Sequence, residues 1–181
     1  KKAQVKTAIV GLGRWGQKLV NAVAQNPESH LKFTHAFSRT PIKVKAFCDQ
    51  HSVHLCSSYE EILSNSSVAA VALATPHSQH TEQIKQAAEA GKHVFVEKPL
   101  ALNLHEAEKA VRVCLAANVI LAVGFNRRFL PAYNILKELV KMGKLGKMLS
   151  VEGNFSGPFG YGYSADMWRG TLQENPAGGM A

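Results

Sequence analysis

The chain has 181 residues, 46% of them apolar and 19% charged, with 21 Lys and Arg against 13 Asp and Glu and a net charge of +8. That is an ordinary globular composition, long enough for one domain or one and a fraction. No run approaches the ~18 apolar residues of a membrane span, and the opening "KKAQVK" leads straight into a strand without the apolar core of a secretory signal.

Strand-like and helix-like segments then alternate. Residues 4–10 form a β-rich run, and residues 14–25 have helical spacing with Leu19, Val20 and Val23 on one side. Residues 31–38 read as a second strand, and Thr40-Pro41 opens a helix to about residue 51. A brief strand at 53–56 precedes a short helix that Ser58 can cap. Residues 68–74, "VAAVALA", are apolar throughout, as in a strand covered on both faces of a parallel sheet. A helix over 77–90 ends at Gly91, "HVFVE" is the next strand, and Asn103, with Glu106 three residues on, caps another helix. On that helix Ala107, Ala110, Val111, Cys114 and Leu115 recur at helical spacing, which predicts that they face a core. Residues 119–123 are the sixth strand. The fold class is therefore α/β, a doubly wound parallel sheet of Rossmann type.

After Gly124 the rhythm changes. Residues 129–142 read as an amphipathic helix, 147–157 as a strand with one exposed face, and the glycine- and aromatic-rich remainder as loop. The expected division is a dinucleotide-binding domain over 1–123 and the start of a second α/β domain over 124–181. The first residue is not Met, so the N-terminus is expected to be processed or incomplete, and the second unit is too small to close a core, so the chain reads as stopping partway through it.

Cys48, Cys56 and Cys114 form no CxxC pair, which points to a reducing, cytoplasmic setting. The positive charge suits an anionic partner. Basic residues are scattered without long runs or aromatic interleaving, which argues against nucleic acid and for a phosphate-bearing small molecule.

Gly11-x-Gly13-x-x-Gly16 stands directly after a strand and opens a helix, with Arg14 and Trp15 between the glycines. The first glycine allows a tight turn, the second close approach of a pyrophosphate, and the third close helix–strand packing, while the helix N-terminus offers N–H donors. At the end of the second strand, where an NAD reader carries an acid for the ribose hydroxyls, stand Ser38 and Arg39. Asp49 comes too late in the chain. A guanidinium there pairs with a 2′-phosphate, so the preferred cofactor is NADP, with NAD second.

The ends of the fourth and fifth strands carry "ATPHSQH" and "HVFVEKPL". Helical spacing puts His77, His80, Ile84 and Ala87 on one side, and spacing alone makes His80 a surface residue more readily than a cleft residue. A Lys98 partly withdrawn from water would exchange a proton with a hydroxyl or carbonyl, Glu97 would orient it, and Pro99 would set the turn, through a cis bond if needed, although Lys-Pro after a strand is by itself more often only a loop. His51, His54 and Cys56 lack the number and spacing of zinc ligands, so no metal is assigned.

"GLGRWG", "ATPHSQHTEQIKQAAEAGKHVFVEKPLAL", "GFNRRFLPAY", "GKLGKMLSVEGNFSG" and "MWRG…NPAGGM" occur in an order that resembles the Gfo/Idh/MocA oxidoreductases, across essentially the whole chain. The resemblance implies a dehydrogenase or reductase moving hydride between a nicotinamide and a carbinol carbon of a sugar or polyol. It implies that Lys98 is the active-site lysine, with Glu97 and Pro99 shaping the nicotinamide pocket. It further implies that Thr75, Pro76 and His80 line the cofactor, that Arg128, Trp168 and Arg169 approach nicotinamide or substrate, and that the protein is homo-oligomeric. The family's later His-bearing, glycine-rich helix would follow Ala181, so this polypeptide is expected to bind cofactor better than it turns over. A dinucleotide sensor without catalysis is the alternative on the same scaffold.

Overall fold

A computed structural model describes residues 4–154, 156–162, 164 and 167–176, with backbone alone at 159, 160 and 169. The elements are β1 (Val5–Val10), α1 (Arg14–Ala24), β2 (Leu31–Phe37), α2 (Pro41–Gln50), β3 (His54–Leu55), α3 (Tyr59–Ser64), β4 (Ala70–Leu73), α4 (His80–Glu89), β5 (His93–Val96), α5 (Leu104–Ala116), β6 (Leu121–Val123) and α6 (Pro131–Lys141). The strands form one parallel sheet in the order β3-β2-β1-β4-β5-β6. The chain winds outward from β1 to β3, then crosses to the other side of β1, which makes the β1/β4 boundary the topological switch point.

Both faces of the sheet are covered. Ala8, Val10, Val71 and Leu73 pack with Ile62 of α3, Ile84 of α4 and Cys114 of α5. Ile9 and Ala72 point the other way, onto Val20 of α1 and Val44 and Cys48 of α2. Alternating positions of β1 and β4 thus feed two cores, which is why β4 and the second half of β1, residues 8–10, read as unbroken apolar runs. All three cysteines are free and buried, serving as small apolar residues. The caps fall where the sequence puts them: Ser58 accepts from the Glu61 amide and Asn103 from that of Glu106.

Three expectations are corrected. On α5, Ala110 and Cys114 are buried, but Val111 and Leu115 are exposed, the latter by 73%. The helix touches the sheet along a narrow stripe, and α4 takes the neighbouring ground. Residues 147–154 are not a strand, nor is any described residue after β6. An isolated strand leaves its backbone groups unpaired, and no described segment lies alongside to pair them. The predicted helix over 129–142 becomes a 3-10 turn, Asn126–Phe129, and then α6, whose Tyr133, Ile135 and Leu136 face solvent. Among the described residues no helix is long and apolar enough to cross a membrane.

Candidate active site

Strand register builds the site. Val10 pairs with Phe37 and Leu73, Leu73 with Val96, and Val96 with Val123, so five strands end level. The next residue of each is Ser38, Gly11, Ala74, Glu97 and Gly124. Four of these amides extend the ladder by one rung: Gly11 N–H donates to Phe37 O (2.9 Å), Ala74 to Val10 O (2.8 Å), Glu97 to Leu73 O (2.9 Å) and Gly124 to Val96 O (2.8 Å). Motifs up to 113 residues apart in sequence are thereby set in one row along the carboxyl edge, where open α/β sheets bind ligands.

The glycines form a tight cradle. Gly11 has φ +90°, and a Cβ there would lie 2.7 Å from Ala74 O; at Gly16 it would lie 2.0 Å from Gly11 O. At Gly13 it would meet nothing within 4 Å, so that glycine leaves open space above the loop. Gly13 is the N-cap of α1, with no side-chain cap and no acid in the first turn. The amides and positive dipole end of α1 thus remain for an outside anion. Beside them the Trp15 indole N–H is buried with no described acceptor, and Lys18 Nζ lies 5.3 Å from the ring centre. An open cradle, a donor-rich helix end and an orphan indole donor fit a dinucleotide pyrophosphate.

Ser38 and Arg39 line a cavity of about 480 Å³ with Phe37, Pro41, Leu55, Cys56 and Ser57. No acid lines it. The Asp49 carboxylate is bound instead to Lys45 Nζ on α2, at 3.1 Å. Residues 55–57 are wall residues that the sequence reading missed, since only the folded sheet brings β3 beside the end of β2. Here His54, Cys56 and Glu61 bring potential metal-ligand atoms within 4.8 Å of one another. His51 is not among them and stacks on Phe47. The Glu61 carboxylate is committed to the Ser57 amide (2.7 Å) and hydroxyl (2.8 Å) and to His54 Nε2 (3.3 Å), which hold its pKa down to about 2. Burial, then Glu61, pushes the Cys56 thiol up to about 11. The group reads as a hydrogen-bonded turn.

Beyond β4, the Thr75 hydroxyl donates to Gln83 Oε1 at 2.6 Å, and Pro76 opens a 3-10 turn, His77–Gln79, ahead of α4. The predicted side of this helix is confirmed: His77, His80, Ile84 and Ala87 are all buried. His80 is neither a surface residue nor part of the crevice wall. Its ring is fully buried, with Nδ1 2.8 Å from Pro99 O and Nε2 3.1 Å from Thr75 O. It thus clamps the ends of β4 and β5 together. A neutral ring donates to one of these carbonyls only. The carbonyls favour the imidazolium, but burial is the larger influence and lowers the pKa.

Because the folded ring resists a proton that the unfolded ring accepts, His80 contributes stability above the unfolded value near 6.5 and loses it as pH falls below. His35, lowered first by burial and then by His54, acts in the same direction. The unfolding free energy from urea titration is expected to fall between pH 7 and pH 5, by at most about 1.4 kcal/mol per pH unit per uncoupled histidine, and the urea midpoint with it. His80→Asn should flatten that fall, and an unchanged pH profile in the variant would refute the assignment.

At the end of β5, the Lys98–Pro99 bond is cis. Lys98 is exposed, not withdrawn from water as the sequence reading has it, because it stands at the open rim. The half-buried Glu97 lies against Gly124, where a Cβ would come within 2.8 Å of its Oε1. Arg128 is exposed on the turn after β6, and Trp168 is half-buried, edge-on to His77 with ring centres 5.1 Å apart. The Arg169 side chain lies outside the described residues. The structure therefore brings Gly11–Gly16, Ser38, Arg39, Thr75, Pro76, Glu97 and Lys98 to one edge, and Trp168 to the β4–α4 turn.

Residues 5–125 match the family described as "Oxidoreductase family, NAD-binding Rossmann fold". The chain belongs to the Gfo/Idh/MocA oxidoreductases. Within that family it is 36% identical over 154 residues to scyllo-inositol 2-dehydrogenase (NAD(+)) of Bacillus subtilis, covering 83% of this chain and 44% of the relative. It is 34% identical over 144 residues to the uncharacterized oxidoreductase YrbE of the same organism, covering 79% and 42%. The chain thus spans less than half the length of these relatives. A crystal structure from Desulfitobacterium hafniense, named conjecturally as an NADPH-dependent oxidoreductase, superposes with TM-score 0.90 at 30% identity over 98% of this chain and 51% of its own. Scyllo-inositol dehydrogenase from Lactobacillus casei, with bound NAD(H) and scyllo-inositol, superposes with TM-score 0.74 at 32% identity over 80% and 43%.

Proposed function

We propose that the protein is an NADP(H)-dependent oxidoreductase acting on a carbinol or carbonyl carbon of a sugar, polyol or related hydroxy compound. The observation that carries this reading is the level row at the sheet edge, with an uncapped glycine cradle at the switch point and Lys98 two strands away. Residues 1–123 hold the dinucleotide, and the segment from 124 begins the part that meets substrate. Gly11, Gly13 and Gly16 with the amides of Arg14 and Trp15 would take the pyrophosphate, and Ser38 and Arg39 the adenosine 2′-phosphate. Thr75, Pro76, Glu97, Arg128, Trp168 and Arg169 would surround the nicotinamide end, with His80 setting the carbonyls of Thr75 and Pro99 from behind. The nicotinamide, when bound, supplies the hydride acceptor or donor. Lys98, an exposed residue at the end of β5, exchanges the hydroxyl proton of the substrate. Relatives named as inositol dehydrogenases support the substrate class. The free buried thiols support a cytoplasmic setting, and a homo-oligomer is expected by family resemblance.

Calorimetric titration tests the cofactor assignment. NADPH should bind more tightly than NADH, and Arg39→Ala should weaken NADPH by roughly tenfold while leaving NADH within about threefold. Equal affinities, or a variant that weakens both alike, would return the choice to NAD.

A further inference from the structure

Glu174 is 9% exposed although it lies 96 residues from the group that holds it. Its carboxylate accepts from the Ser78 amide through Oε2 (2.9 Å) and from the Ser78 hydroxyl through Oε1 (2.6 Å). Its backbone carbonyl accepts from His77 Nδ1 at 2.8 Å. A carboxylate so withdrawn from water is costly unless its oxygens are bonded, and these bonds are charge-assisted.

The segment carrying it is braced internally. Thr171 Oγ1 donates to Trp168 O (2.9 Å), and the amides of Glu174 and Asn175 donate to Thr171 O (3.2 and 3.0 Å). Trp168 and Glu174 are thus two ends of one short unit. The other end meets the turn after β4 as well, where Trp168 stands edge-on to His77 at 87°. Both attachments fall on the turn after β4, the strand between the glycine cradle and Lys98.

We infer that Glu174 is a positioning residue, a latch on Ser78 and His77 that holds Trp168 as a wall at the nicotinamide end of the crevice. The wall's role rests on the dinucleotide reading above; the latch itself does not. An indole held there keeps water from one side of the reacting centre, and a loosened one does not.

Tryptophan fluorescence separates the two claims. The chain has two tryptophans, so the difference between the parent and Trp168→Phe isolates the Trp168 signal. Glu174→Ala should raise acrylamide quenching of that signal about twofold or more, with Ser78→Ala moving it less in the same direction, since the Ser78 amide remains. Glu174→Gln, which keeps one acceptor oxygen, should fall between parent and Glu174→Ala. Energy transfer from Trp168 to bound NADPH should drop several-fold in Glu174→Ala at equal calorimetric occupancy. Quenching and transfer that match the parent in both Glu174→Ala and Ser78→Ala would overturn the latch, and looser quenching with unchanged transfer would overturn the wall. If Glu174→Ala does not fold, Ser78→Ala decides by the same readouts. A parent chain that takes up no NADPH sinks the cofactor reading, while the quenching comparison still decides the latch.

Discussion

Gly16→Ala is expected to cost on the order of 3 kcal/mol or more of stability, while Gly13→Ala stays within about 1 kcal/mol of the parent and loses dinucleotide affinity instead. At 16 the added carbon would sit 2.0 Å from the Gly11 carbonyl oxygen, which is backbone and cannot swing away. Relief requires α1 to lift from β1 and uncover Val20 in the core beneath it. Gly11→Ala should be comparably damaging, since φ +90° is strained for any residue with a Cβ and the new carbon meets Ala74 O at 2.7 Å. At 13 the space is open and φ is −68°, so an Ala is accommodated and obstructs only what approaches from outside. Urea unfolding and NADPH calorimetry on the three variants check this. A Gly13→Ala protein with full affinity would show that no phosphate comes close to that backbone.

Lys98→Ala should lower kcat by roughly 10²- to 10⁴-fold while the NADPH dissociation constant stays within about threefold. Exposed at the rim, the side chain leaves no cavity when removed, so folding should be spared. Lys98→Arg keeps the charge but cannot release its proton, and should be nearly as inactive as Lys98→Ala. If Lys98→Arg restores most of the rate, the lysine serves as a fixed charge and the proton moves elsewhere. Reduction of cofactor across a polyol panel, followed with pH, makes the measurement in the protein that carries this chain.

Much of this was legible in the sequence because the signals are local. The unbroken apolar strands, the Ser58 and Asn103 caps and the glycine spacing each need only a few neighbouring residues to be read. His80 was misjudged for the converse reason. Spacing names a helix side, but only the packed sheet shows that this side faces two carbonyls. The α5 error is similar: helical periodicity marks five positions, and the geometry of the neighbouring helix decides which are covered. Glu174 gives no local signal at all, being one of two acids in a 25-residue glycine-rich stretch, and its partner is visible only once the chain has folded back. The strand expected at 147–157 has the right alternation, but alternation cannot supply a neighbour.

The level strand ends described above make the sheet a ruler for the chemistry. A mutation deep in β4 or β5 that shifts pairing by one position would move the threonine or the lysine about 3.3 Å along the edge and turn it to the opposite side. Substitutions far from any ligand, if they alter alignment, should therefore behave in assays like direct damage to the reacting groups. Directed evolution of such a protein would find its safest variation in the helices and its most perilous in the strand interiors.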